Sequence, residues 1–377
     1  MPEQSDDSIN DKFYEERLLK MIDEMLEFLE KGFSRLEKQQ ALLGFDGFVD
    51  RVSVIKNISE MDTFSDFLKE RHGMSGALEL VPKDTKIGGN MPITAHALGN
   101  LGVLCTGIGA VGKGEVDSIF SAISTNCNLI PVTDPGKCLA LEFKTGKLML
   151  SDNSSLLGLD YSAIVRAVGA GNLLKLHNDA KAIAYVNWSE LPHMNAIFDG
   201  LLKNVYAKLE INRMPLLLDF SDCTHQDPGE IKKALRLMAR LGKKRRAVLS
   251  MNHNEYQHLA SKILSLDTSQ DKIEDTMASM RDLCGIENLV IRMDEKAYAL
   301  SPEGFVQVDI VRVDKPKLLT GAGDNYNAGL LAALMMGGTW EQALIMGTFV
   351  ASYYIQFGKS ATPMEIIQYI ISKRNQA

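Results

Sequence analysis

The sequence predicts an α/β protein: a three-layer α/β/α domain around a mostly parallel sheet, carrying a small β lid. Two observations predict it. Apolar strand-like runs (VLCTGIGAV, AIAYVN, PLLLDF, AVLSMN, NLVIRM) alternate with helix-like runs (MNAIFDGLLKNVYAKL, PGEIKKALRLMARLG, NEYQHLASKIL). That alternation is the signature of strands joined by crossover helices lying on both faces of a sheet. The stretch CLALEFKTGKLMLSDNS (138–154) departs from it. It reads as two strands about a Thr-Gly turn, a hairpin able to stand outside the main sheet as a lid.

Taken in order, residues 1–10 are polar and are expected to be disordered. From Phe13 to Gln40 the apolar residues Leu18, Ile22, Met25, Leu29, Phe33 and Leu36 recur at the spacing of an amphipathic helix, whose plainest role is to pack on the main body. Residues 1–40 are therefore an N-terminal extension with an amphipathic helix. Residues 41–377 form one domain, its lid built from parts of 50–90 and 138–155. QALLGFDGFVDRVSVIK (40–56) reads as one buried strand interrupted by Gly and Asp, DTFSDFLKERHG as a short helix, and ITAHALGNLG as a helix following the Gly88-Gly89 pair.

Bulk properties narrow the function. The chain has 377 residues, 45% hydrophobic and 24% charged, with a formal net charge of −7. An acidic balance gives no reason to expect nucleic acid or an anionic membrane as partner. Five scattered cysteines without CxxC spacing argue against a disulfide framework or a zinc site. With no signal-like N-terminus and no apolar run of about 18 residues, a cytoplasmic protein is expected. GIGAVG (107–112) matches a dinucleotide fingerprint, but KGEVD delays the helix and no acid stands near 126–128. GKS (358–360) is no P-loop, because Tyr353 occupies the required glycine position. His96 is expected to pack or cap, and Met335 and Met336 to be core.

The informative stretch is LLTGAGDNYNAGLLAALMMGG (318–338). The first N–H groups of a helix have no internal acceptor and lie at the positive end of its dipole. Small residues there let an anion approach, so Thr320 to Gly323 form a candidate phosphate cradle. Asp324 beside it can take the proton of an attacking hydroxyl, or can be an ordinary helix cap.

The chain resembles the ribokinase-like (PfkB) carbohydrate kinase family. GAGD (321–324) matches its C-terminal signature and GGNMPITAHALGNLG (88–102) its N-terminal one. Asn252 and Glu255 of SMNHNEYQHL match its NxxE element, and GFDGFVD supplies the acid at the first strand, Asp50, with Asp46 close behind. The resemblance implies a ribokinase-like fold and phosphoryl transfer from a nucleotide, ATP first among donors, to a hydroxymethyl group of a sugar. It implies Asp324 as general base and the backbone N–H groups of Gly321, Ala322 and Gly323 as an anion hole. Asp50, Asp46, Gly88, Gly89, Asn90 and Asn187 fall on the acceptor side, and Thr320, Arg292, Asp294 and Asn252 on the nucleotide side. Glu255 and Asn252 would hold Mg2+ indirectly, and the lid could pair two copies as a homodimer.

The chain departs from the pattern in three places. Leu318 and Leu319 replace a usual Asp-Thr, removing a carboxylate linked to a monovalent-cation site. Ile93 stands where many members have Asn. VIRMDEKAYAL replaces the usual glycine-containing nucleotide loop. A nucleoside kinase, an ADP-dependent sugar kinase of the same superfold, and a non-catalytic sugar or nucleotide sensor are the alternatives.

Overall fold

The computed structural model describes residues 6–375. In chain order the elements are α1 (Asp6–Leu36), β1 (Gln40–Phe45), β2 (Phe48–Ile55), α2 (Met61–Glu70), β3 (Leu80–Gly88), α3 (Asn90–Asn100), β4 (Leu104–Gly109) and β5 (Cys127–Pro131). They continue with β6 (Gly136–Phe143), β7 (Gly146–Asp152), α4 (Tyr161–Val168), α5 (Ala170–Asp179), β8 (Ala182–Tyr185), α6 (Met194–Asn204), β9 (Pro215–Asp219), α7 (Pro228–Gly242) and β10 (Arg246–Asn252). The remainder is α8 (His253–Gln257), α9 (Ile273–Cys284), β11 (Asn288–Arg292), β12 (Lys296–Ser301), β13 (Gly304–Asp309), α10 (Ala322–Met335), α11 (Trp340–Phe357) and α12 (Pro363–Arg374).

Nine strands form one sheet in the order β13-β12-β11-β10-β9-β8-β1-β4-β5. It is parallel from β11 to β5, with β12 and β13 added antiparallel at one edge. Side chains alternate between two cores, as the two-residue period of a strand requires. Leu42, Ile183, Leu216, Leu218, Leu249 and Leu289 pack with helices α4 to α9. Leu43, Ala184, Leu217, Val248 and Val290 pack with α1, α3 and α10 to α12 on the other face. This is the three-layer arrangement the alternation predicts.

Two expectations need correction. The helix α1 already runs from Asp6, so the polar start is helical over 6–10, while residues 1–5 lie outside the described residues. Ile22, Met25, Leu29 and Leu36 are buried in the second core, and Gly32 lets α1 lie against Met336 at the end of α10. The stretch 40–56 is also two strands in two different sheets, not one. Glycine makes the break possible: any Cβ on Gly47 would collide with the Ala110 carbonyl, so only glycine lets the chain pass that close to the end of β4 as it leaves the main sheet.

The second sheet, β3-β2-β6-β7, is the lid. The 138–154 hairpin is present as β6 and β7, and β2 pairs parallel with β6 and antiparallel with β3. One lid face is closed by α2, through Ile55, Ile58 and Leu141 with Phe64, Phe67, Phe143 and Leu148. The other carries Asp50. GIGAVG forms the end of β4 and the start of an irregular loop, with no helix opening until a short 3-10 turn at Ser118–Ala122, and Gly358 is the left-handed C-cap of α11. His96 accepts from the Ser124 N–H at 3.0 Å, and Met336 is buried.

Candidate active site

At the carboxyl ends of the parallel strands, the turns after β1, β8, β9, β10 and β11 meet the N-termini of α3 and α10, the place where ligands bind in open α/β sheets. Asp46 closes β1 and is fully buried. Its Oδ2 accepts from the Asn90 N–H and the Asn187 Nδ2, and its Oδ1 from the Met91 N–H, all at 2.7 Å. The side chain therefore caps α3, although Gly89 is the formal N-cap residue. Burial raises its carboxyl to about 6 against the three hydrogen bonds that lower it, with Asp219 adding to the rise. Gly89 has φ +91 and lies against Gly47 and Asp46, a place for glycine alone.

Asp50 lies one strand further, on β2, opposite Lys86 of β3 and Cys138 of β6. The acid that closes the first strand and the acid that faces the cleft from the lid are thus two residues in two sheets. Burial raises the Asp50 carboxyl, while Lys147 and Lys86 oppose the rise. Gly88 is glycine because a Cβ there would strike the Asp50 carboxylate. Asn90 donates Nδ2 to Ser221 Oγ at 2.9 Å. Asn187 follows β8 with φ +58, and its buried Oδ1 has no partner among the described residues. A buried carbonyl oxygen left open at a cleft is a ready acceptor for a ligand hydroxyl.

The Thr320–Gly323 turn opens α10. Gly321 is its N-cap in the left-handed region, φ +92, with the Tyr354 hydroxyl packed where a Cβ would stand. That hydroxyl donates to the Thr320 carbonyl at 2.9 Å. The Ala322 N–H is turned back to Leu319 O at 3.1 Å, so three free donors at 321–323 are not what the turn offers. The next two donors, Gly323 and Asp324, are first-turn N–H groups without intrahelical acceptors. Arg292, at the end of β11, lies over the Tyr326 ring with Nη1 beside Gly323, and its buried Nε has no partner among the described residues.

Asp324 is 7% exposed. Its pKa is raised well above the ordinary aspartate range by burial first, then by Asp219 and Asp46, with Arg292 opposing. Thr94 Oγ1 donates to its Oδ1 at 3.5 Å. A buried carboxylate of raised basicity, next to open N–H groups and a guanidinium, can accept a proton from a hydroxyl as it attacks phosphorus. Asn252 and Glu255 form a reciprocal cap on α8. The Asn252 N–H and Nδ2 donate to the two Glu255 oxygens at 2.9 and 2.8 Å, and Asn252 Oδ1 accepts from the Glu255 N–H at 2.9 Å. Burial and Asp219 push the Glu255 carboxyl up to about 7. Each of its oxygens accepts one bond and keeps a lone pair for water. Among the described residues, no three His, Cys, Asp or Glu side chains converge to ligate a metal directly.

The structure brings together Asp46, Asp50, Gly88, Gly89, Asn90, Asn187, Asn252, Glu255, Arg292 and the turn at Asp324. Asp294 stands apart. It is exposed and lines a cleft of about 480 Å³ with His253, Gln257 and Lys296 on the α8 side. Thr320 is exposed and contributes through its carbonyl. Sequence reasoning missed Asp219, Ser221, Asn327, Thr94 and Tyr354. The acid ending the PLLLDF run, Asp219, was the one with a signal: it closes a buried strand just as Asp46 does.

The sequence pattern of the family described as "Prokaryotic ketohexokinase" matches residues 24–372. Among curated proteins, the ketohexokinase of Haloferax volcanii is 27% identical over 344 residues, covering 88% of this chain and 91% of its own length. The 2-dehydro-3-deoxygluconokinase of Escherichia coli K12 is 33% identical over 100 residues, 26% of this chain and 32% of that protein. Among solved structures, the Arabidopsis thaliana ribokinase complexed with ribose and ATP superposes with a TM-score of 0.64 at 14% identity, covering 89% of this chain and 99% of that one. Among the described residues no helix is long and apolar enough to cross a membrane.

Proposed function

This chain belongs to the prokaryotic ketohexokinase family and is a carbohydrate kinase, and from that premise we propose that it transfers the γ-phosphoryl group of ATP to a primary hydroxyl of a ketohexose. The observation that carries this reading is Asp324, buried in the first turn of α10 beside open N–H groups and within reach of Arg292 and Thr94.

In this reading Asp50, Asn90 and the open Oδ1 of Asn187 hold the sugar hydroxyls. The acceptor oxygen attacks the γ-phosphorus, the bond from phosphorus to the ADP oxygen breaks, and the hydroxyl proton passes to Asp324. The Gly323 and Asp324 N–H groups and the Arg292 guanidinium hold the charge on the transferring group. Asp46 acts by fixing the start of α3. Mg2+ when bound offsets phosphate charge; the oxygen-rich pair Glu255 and Asn252 would hold it through water, which suits an ion that keeps its hydration. Pairing of two copies through the lid belongs to the same reading, supported by exposed apolar side chains on its two edge strands, Leu80 and Val81 on β3 and Met149 and Leu150 on β7.

A second reading has its own support. Lys86 and Lys147 flank Asp50, and one segment is similar to an enzyme named for a sugar acid, so an acceptor bearing a carboxylate fits the same lid. A coupled assay with ketohexoses, aldoses, 2-keto-3-deoxy sugar acids and nucleosides, each with Mg-ATP and Mg-ADP, separates the readings. Highest kcat/KM with a ketohexose and ATP supports the first. Preference for a sugar acid replaces it with the second, and no turnover with any acceptor removes both.

A further inference from the structure

Behind the cleft, a chain of polar side chains joins its two walls, and beyond Asn90 none of its members belongs to the kinase signature. Asn90 Nδ2, on the first residue of α3, donates to Ser221 Oγ at 2.9 Å. Ser221 Oγ donates on to Asp219 Oδ1 at 3.1 Å, and the Ser221 N–H donates to the same oxygen at 2.9 Å. Asp219 Oδ2 accepts Asn327 Nδ2 at 3.1 Å, and Asn327 Oδ1 accepts Ser250 Oγ at 2.7 Å. Asp219, Asn327 and Ser250 are buried, at 3%, 1% and 0% exposure. Asn327 stands three residues after Asp324 on α10, on the same face of that helix. Ser221, which accepts from Asn90, has a left-handed backbone, φ +58, an uncommon conformation for serine.

We propose that Asp219 is a positioning residue: through Ser221 and Asn90 on one side and Asn327 on the other, it locks the acceptor-side helix α3 to the rotation of α10 that aims Asp324. The inference rests on the kinase reading of Asn90 and Asp324. Each link supports it. Asn327 uses its amide nitrogen and its oxygen on two different strands, β9 and β10, so α10 cannot turn about its axis without leaving a buried group unpaired. From α3 to α10 the connection runs in series through Ser221, Asp219 and Asn327, so loss of the Ser221 hydroxyl or of the Asn327 amide separates its two ends. Asp219 also lies centrally among the acids of the cleft, since its charge acts on Asp46, Glu255 and Asp324. Misplacement of a reacting group by a fraction of an ångström lowers the rate of transfer far more than it lowers binding.

The test is a double-mutant cycle across Asp219, Ser221→Ala and Asn327→Ala, which cut the connection on its α3 side and on its α10 side. With the best acceptor and Mg-ATP, each single variant is expected to lose about tenfold in kcat, with KM for nucleotide unchanged. The double variant is expected to lose little more than either single one, because the second deletion acts on a connection already broken. Losses that multiply, about a hundredfold in the double variant, or an unchanged kcat in either single one, overturn the proposal. Asp219→Asn supplies a further check: it keeps size but presents a second donor to Asn327, and should match the double variant in kcat. A parent that phosphorylates no acceptor defeats the kinase reading instead, so the two failures are told apart.

Discussion

The floor of the cleft and its lid hold their acids in opposite ways. On the floor, Asp46 accepts three hydrogen bonds at 2.7 Å and Glu255 two, and Asp219 is tied to Ser221 and Asn327. On the lid, Asp50 sits on a strand of a four-stranded sheet whose own core is three buried aliphatic residues and the aromatics around them, and lysines rather than a fixed network oppose the rise of its pKa. A floor fixed before any ligand arrives suits chemistry, where preorganised groups cost no rearrangement at the moment of reaction. A lid held by a small core suits recognition, since it can close on a sugar and open again. The division predicts that variants of the floor's acids lose turnover and variants of the lid's acid lose affinity.

The largest effect should come from Asp324→Asn, which keeps the size of the side chain but cannot take the proton. Steady-state assay should show kcat lower by about 10²–10⁴-fold; a parental kcat reduces Asp324 to a helix cap. Next comes Asp50→Ala. Losing a carboxylate that accepts sugar hydroxyls should weaken acceptor binding by about 2–4 kcal/mol. Calorimetry with unchanged affinity would move the acceptor role off the lid.

Gly88→Ala is a smaller, purely steric test of the same strand. Its methyl displaces the Asp50 carboxylate, so KM for the sugar should rise about tenfold while KM for the nucleotide holds. Equal changes in both would mean that the lid acts on the whole cleft. The gentlest test is of electrostatics. Asp324 works deprotonated and its pKa is raised, so kcat/KM should fall on acidification while an ordinary aspartate would still be charged. Arg292 opposes that rise. Arg292→Ala should move the acid limb to higher pH, visible in the pH–rate profile; a limb that stays or moves down would show that another group controls it.

How much of this was legible in the sequence follows the range of the interactions. The helix α1, the β6–β7 hairpin and the GAGD helix start are set by neighbours within a few residues, and their patterns survive in a linear reading. The stretch 40–56 misled because two apolar strands are separated only by Asp46-Gly47, and nothing local says that Gly47 must clear Ala110. Asp46 and Asp50, four residues apart, then looked like one site, although one anchors α3 and the other faces the cleft. The β12–β13 hairpin is hidden because its first strand, Lys296–Ser301, overlaps the VIRMDEKAYAL segment that reads as a nucleotide loop. Asp219, Ser221 and Asn327 escaped for a third reason: their partners lie more than a hundred residues apart in the chain, as with Asn327 and Asp219 or Asn90 and Ser221.

The central claim, that the floor's acids serve the reaction and the lid's acid binds, is tested most directly by the acceptor affinity of Asp324→Asn, measured by calorimetry with the best ketohexose. The account predicts an affinity within about twofold of the parent despite the collapse of turnover, since Asp324 is needed only when the proton leaves. An affinity that falls in step with kcat would make Asp324 a sugar-binding residue and contradict the division.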